Sequence, residues 1–231
     1  TLDRSSAASD VYKRQHANGA LALRDPNSNV TAEVRLVGAR PTLGEIARGH
    51  VVYPNAAPGG GDLVVTPLPG GAEDWIALPS AHAVSSLDYV VTLGNEAAGL
   101  RLVDGTLEIL DRRGIPRLRM ARPQVVSGDG RVLPAHTRIE GCAFDTSPIA
   151  PFGRAVTPPR AANCGIHVGW DGEGLTYPAL VDPAWSTTMQ LAAPRHGHVA
   201  TRLANGSVLV AGGQTTNPVT TSVEVATAEL W

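Results

Sequence analysis

Twenty-five glycines and 18 prolines in 231 residues, spread along the chain in short punctuating groups, leave little room for a helix of ordinary length. Glycine enters turns that need positive φ and proline removes a backbone donor, so both cut a chain into short extended pieces. Between these breaks the hydrophobic pattern has period two. Val30, Ala32, Val34 and Leu36 alternate with Thr31, Glu33 and Arg35, which turns one face of a strand toward a core. Further short strands are predicted at 49–53, 62–66, 74–78 and 87–93, then in a hairpin from Leu100 to Leu110 that turns at Asp104-Gly105. Segments 116–120, 124–126 and 137–141 continue the series, and Asp171-Gly172 marks a turn inside Cys164–Leu180. Trp75, Ile76, Leu78, Val90, Leu102 and Ile109 are the expected core. The expected fold class is all-β, a sandwich or open barrel with little helix.

With 43% hydrophobic residues the chain can bury a core, and no apolar run reaches the roughly 18 residues a bilayer-spanning helix needs. Nineteen basic against 21 acidic residues give no basic patch for nucleic acid and no polybasic membrane anchor. Lys13 is the one lysine beside 18 arginines, a bias of high-GC bacterial genes. It lies in Ser5–Gln15, which reads as the translation of a transposase-type sequencing-library adapter. Residues 1–15 are therefore set aside as an artefact expected to be disordered, with the true N-terminus and any secretion signal expected elsewhere.

Cys142 and Cys164 lack the close spacing of a metal or redox pair and have no ligand cluster beside them. A structural disulfide is expected, which closes a loop worth roughly 3 kcal/mol in the chain-entropy picture and points to an oxidising, extracellular or cell-surface location. Free buried thiols are the alternative. The loop between them carries Pro148, Pro151, Pro158 and Pro159.

Signs of catalysis are few. The chain has no nucleophile elbow, P-loop, dinucleotide fingerprint or H-E-x-x-H helix. His196 and His198 form an H-x-H without a third ligand in view, so no metal and no cofactor are expected. Glu73 and Asp74 are adjacent on a predicted strand and point to opposite faces, which argues against a shared acid–base cleft. Asn29-Val-Thr31 and Asn205-Gly-Ser207 match glycosylation acceptors, incidental in a bacterial gene. Of the tryptophans, Trp170, beside the Asp171-Gly172 turn, is the weak candidate for an exposed ligand platform, whereas Trp185 and Trp231 are expected to pack in a core or at the interface between repeat units.

The C-terminal stretch has its own pattern. Arg195 and His198 enter a first strand, Asn205-Gly206 turns it, a hydrophobic run ends in Gly212-Gly213, and a third strand runs from Val223 to Trp231. This resembles the kelch motif, and the resemblance makes Arg195, His198, Asn205, Gly206, Gly212, Gly213 and Trp231 structural residues of a first, truncated propeller blade. One blade cannot bury its own faces and belongs in a ring. In addition, Tyr53–Val64, Glu73–Leu78, Leu107–Leu110 and Tyr177–Pro183 resemble, in that order, a β-rich domain that precedes propeller or repeat arrays in large bacterial secreted proteins.

The resulting expectation has three parts: residues 1–15, a β-rich domain at 16–183, and a kelch blade at 184–231. In that reading 185–188 supplies a strand to the last blade and closes the ring. The function expected is non-catalytic display of a propeller whose loops bind protein or glycan. The alternatives are the N-terminal part of a galactose-oxidase-like copper enzyme, for which the tyrosines and cysteines are poorly supplied, and a purely structural spacer.

Overall fold

A computed structural model describes residues 16–68, 70–81, 83–151, 153–188, 195–203, 208–215 and 223–230. The chain divides into two units, Thr1–Thr188 and Met189–Trp231. Among the described residues every regular element is a strand, the sheets are antiparallel, and none closes into a barrel. The fold is all-β and sandwich-like.

The first unit runs β1 (Leu21–Arg24), β2 (Thr31–Leu36), β3 (Glu45–Ala47), β4 (His50–Tyr53), β5 (Leu63–Leu68), β6 (Gly71–Leu78), β7 (Ser86–Leu93) and β8 (Gly99–Val103). It continues through β9 (Thr106–Leu110), β10 (Pro116–Met120), β11 (Gln124–Val126), β12 (Val132–Pro134), β13 (His136–Glu140), β14 (Asn163–Gly169), β15 (Ala179–Asp182) and β16 (Ala184–Thr187). Five strands form one sheet in the order β1-β2-β7-β14-β13. The other sheet is centred on β6, with β5, β4 and β3 on one flank. On its other flank β6 pairs with both β15 and β16, which pair in turn with β11 and β10.

Alternation places the core as the sequence implies. In β2, Ala32, Val34 and Leu36 are buried while Glu33 and Arg35 are exposed. Ile76, Leu78 and Ile109 are fully buried, Leu102 packs at the core's margin, and Trp75 and Val90 are half-buried on the outward faces of their strands. Across the sandwich, Tyr89 meets Trp185 with ring centroids 5.8 Å apart and planes tilted by 60°. Such tilted pairs add about 0.5–1.5 kcal/mol beyond the area they bury. The hairpin between β8 and β9 turns at Asp104 (φ 50°) and Gly105 (φ 78°), both left-handed as a type I′ turn requires.

Trp185 also corrects an expectation. Residues 184–187 do not lend a strand to a propeller blade: Trp185 opposes Ala72 on one side and Met120 on the other, deep in the first unit. Pairing on both edges satisfies the strand's backbone and the indole is buried. This unit therefore extends to Thr188, past the expected boundary at 183.

The Cys142–Cys164 bridge is present, joining β14 to the start of the proline-containing loop. That loop lies along the edge strand β8. Asp145 and Arg101 form a parallel bridge, Leu102 N donates to Asp145 O (2.9 Å), and Asp145 N donates to Leu100 O (2.9 Å). The buried Arg101 guanidinium reaches the carbonyl of Ser147 (3.2 Å) and the carboxylate of Glu108 (2.6 Å).

A second buried arginine links the turn between β1 and β2 to the opposite sheet. Arg117 Nε donates to Asp111 Oδ2 at 2.8 Å, and its NH1 lies 3.7 Å from Asp25 Oδ2. Burial pushes the Asp111 carboxyl upward, but donors from Ile115, Arg117 and Arg113 hold it below the ordinary carboxylate range. Asp25 itself accepts a hydrogen bond from Ser28 N at 3.0 Å and is 2% exposed. Removing one partner of such a network leaves buried charge behind. We expect Arg117→Ala to lose about 3–5 kcal/mol of stability in urea unfolding. Adding Asp25→Asn to that variant should restore part of the loss.

Candidate functional site

The second unit is built from β17 (Val199–Arg202), β18 (Val208–Ala211), β19 (Gln214–Thr215), β20 (Val223–Glu224) and β21 (Ala228–Leu230). β17, β18 and β21 form a three-stranded sheet, while β19 pairs with β20. The stretch expected as one third strand is thus two short ones. Val225 N donates to Gly213 O (2.9 Å) between them, and Gly212 N donates to Thr227 O (3.1 Å). Arg202 opposes Val208, one position off the register that a two-residue turn at Asn205-Gly206 would set. Asn205, Gly206 and Trp231 themselves lie outside the described residues, as do residues 1–15 and their expected disorder.

Arg195 organises this unit. Its side chain is 1% exposed, with NH1 donating to Thr227 O (3.0 Å) and Gly212 O (3.3 Å) and NH2 to Thr227 Oγ1 (3.2 Å) and Glu229 Oε1. Gly212 (φ 68°) and Gly213 (φ 92°) both need left-handed backbone. A Cβ on Gly213 would fall 2.7 Å from His196 O, which pairs with Gln214 beside it. The paired glycines therefore let the strand entering at Arg195 pass close by. His198, expected to pack with Arg195, is exposed instead, as is His196.

Trp170 is no exposed platform: it is 6% exposed and belongs to the hydrophobic core. The aromatic that faces outward is Trp75, on the outer face of the larger sheet. It shares that face with Glu73 and, through the pairing of β5 with β6, with Thr66, whose Oγ1 lies 2.9 Å from His50 Nδ1.

Here the structure joins two residues far apart in sequence. Glu73 and Asp74 do point to opposite faces, Asp74 inward at 2% exposure. The partner of Glu73 is Asp182, which falls on the neighbouring strand between the pairs Val181–Ile76 and Ala184–Glu73. Burial pushes the Asp182 carboxyl up to about 7, aided by the charge of Glu73, a hydrogen bond with it, and the charge of Asp74. Asp182 Oδ1 is buried with no hydrogen-bond partner. Trp75 Nε1 donates to Glu73 Oε2 at 3.0 Å and fixes that carboxyl. Glycosidase pairs stand about 5 Å or more apart to admit a sugar or water between them, so this contact joins strands and carries no such chemistry.

Asp129, in the turn between β11 and β12, is the other strongly shifted acid: donors from Arg131 and Ser127 hold it at about 2 on the open surface. Among the described residues no group of three or more His, Cys, Asp or Glu is placed to hold a metal ion. No helix is long and apolar enough to cross a membrane among them. Compared with known proteins, the chain matches no family model, no curated protein and no solved structure.

The raised Asp182 sets a pH dependence. Its folded-state value lies above the unfolded value of 3.8, so the fold holds the proton longer than the unfolded chain does. That contribution is complete below about pH 4 and is lost as pH rises through 7. We expect the melting temperature of the first unit to fall between pH 4 and 7 and to level off above. Asp182→Asn should remove most of that slope.

Proposed function

We propose that this chain is part of a non-catalytic extracellular protein. In this reading a disulfide-stapled β-sandwich precedes the first blade of a kelch-type propeller, whose rim loops bind protein or glycan. The observation that carries the reading is the buried Arg195, tied to Gly212, Thr227 and Glu229 beside a left-handed Gly-Gly pair. That is the role the kelch resemblance gives its entering arginine and its glycines. Support also comes from how little the second unit covers: Val199 is 69% and Val223 53% exposed, and all four residues of β17 are exposed. A sheet so bare gains most by stacking on another like it. The bridge between Cys142 and Cys164 supports an oxidising compartment.

The test separates the two units. Residues 16–188 should melt as cooperatively as the full chain and at the same temperature. Residues 189–231 alone should show no cooperative transition, and should gain one when further Gly-Gly repeats from the native reading frame are appended. A cooperative transition in 189–231 by itself would make that unit self-sufficient and end the blade reading.

A further inference from the structure

The outer face of the smaller sheet carries a cluster that none of the features above uses. His167 on β14 stands opposite Asp88 on β7, and its Nδ1 lies 2.8 Å from Asp88 Oδ1. With the carboxylate accepting the Nδ1 proton, the Nε2 lone pair is left free to bind an electrophile. His136, on β13 at the sheet's edge, sits diagonally across from His167, with ring centroids 6.4 Å apart and planes at 44°. What brings the rings together is a missing side chain. His136 pairs with Gly169, and a Cβ there would lie 2.5 Å from His136 Nε2 and 3.2 Å from His167 Nε2. Both Nε2 atoms therefore converge over one bare stretch of backbone. His136 is exposed and the His167 side chain is 20% exposed, so the spot opens to solvent.

We infer that His136 and His167 form a two-histidine site for a divalent transition-metal ion such as Zn2+, with Asp88 orienting His167 and water filling the remaining positions. Imidazole nitrogens suit zinc, copper and nickel, which bind at about 2.0–2.1 Å from nitrogen in the zinc case. The carboxylate–imidazole arrangement is the one that fixes the tautomer and raises basicity in metal sites. Arg138 works against a cation because it stands directly opposite His167, whereas Glu140 two residues along β13 offsets it. Two protein ligands make an open site, whose free positions can accept a further ligand, rather than a closed structural one.

The test is calorimetric titration of the full chain with ZnCl2 at pH 7.5. Saturable binding is expected, weakened at least ~10-fold by His136→Gln or His167→Gln and about 10–100-fold by Asp88→Asn. His196→Gln with His198→Gln, in the other unit, should leave it unchanged. Unchanged melting temperatures without zinc establish that the variants fold. No binding by the parent chain, or binding that survives the His136→Gln/His167→Gln double variant, overturns the site. Undiminished affinity in Asp88→Asn overturns the orienting role.

Discussion

The segment from Ala179 to Thr187 is the constraint on which the sandwich depends. Toward β6 it behaves as one strand, since Val181 opposite Ile76 and Ala184 opposite Glu73 keep a single register through Pro183. Toward the other side the register slips. Asp182 opposes Gln124 while Trp185 opposes Met120, which leaves one extra residue in the chain between β10 and β11. Pro183 lacks an N–H, and its carbonyl accepts from Asp74 N at 3.2 Å, so its missing donor faces β6, where the register nonetheless holds. From the same segment Trp185 reaches across to Tyr89, so one strand fixes the larger sheet edge to edge and the sandwich face to face.

Much of this was legible in the sequence, and the misses have physical causes. The period-two run in β2 and the Asp-Gly turn at 104–105 announce themselves because both are local: alternation reports one buried face, and the turn reports positive φ. The strands β1, β3 and β12 are absent from the sequence reading. Every residue of β3 is exposed, so that strand leaves no hydrophobic signature. Trp170, expected at the surface and found in the core, differs for another reason. An aromatic beside a turn or at the border of a repeat motif looks the same in sequence whether it faces solvent or core, and its place is set by strands distant in the chain.

The same logic governs the polar contacts. In sequence Glu73 stands beside Asp74, although its structural partner, Asp182, lies more than a hundred residues later. Both positions belong to the motifs Glu73–Leu78 and Tyr177–Pro183, and the fold places those motifs side by side. A pairing of strands, rather than a spacing, was the signal. His136 and His167 carry no local signature, because it takes Gly169, a position with nothing to show but the absence of a side chain, to bring their rings together.

Three buried arginines show how a chain rich in turns keeps its loops in place. Arg117 draws the turn between β1 and β2 onto the opposite sheet, Arg101 holds the proline-containing loop along β8, and Arg195 ties the Gly-Gly crossing of the second unit. At Arg101 and Arg195 the planar guanidinium serves carboxylate and carbonyl acceptors together, and at Arg117 it meets two carboxylates, which a point-charge ammonium does less well. At Arg101 the consequence reaches beyond packing. β8 ends its sheet, and a bare edge strand is a template for pairing with another chain. The loop occupies the donor of Leu102 and the acceptor of Leu100, while the Cys142–Cys164 bridge closes the same loop at its base. Edge protection and the disulfide are thus one device. The bridge shortens the loop's freedom in the unfolded chain, and Arg101 fixes where the loop lies once the sheet has formed.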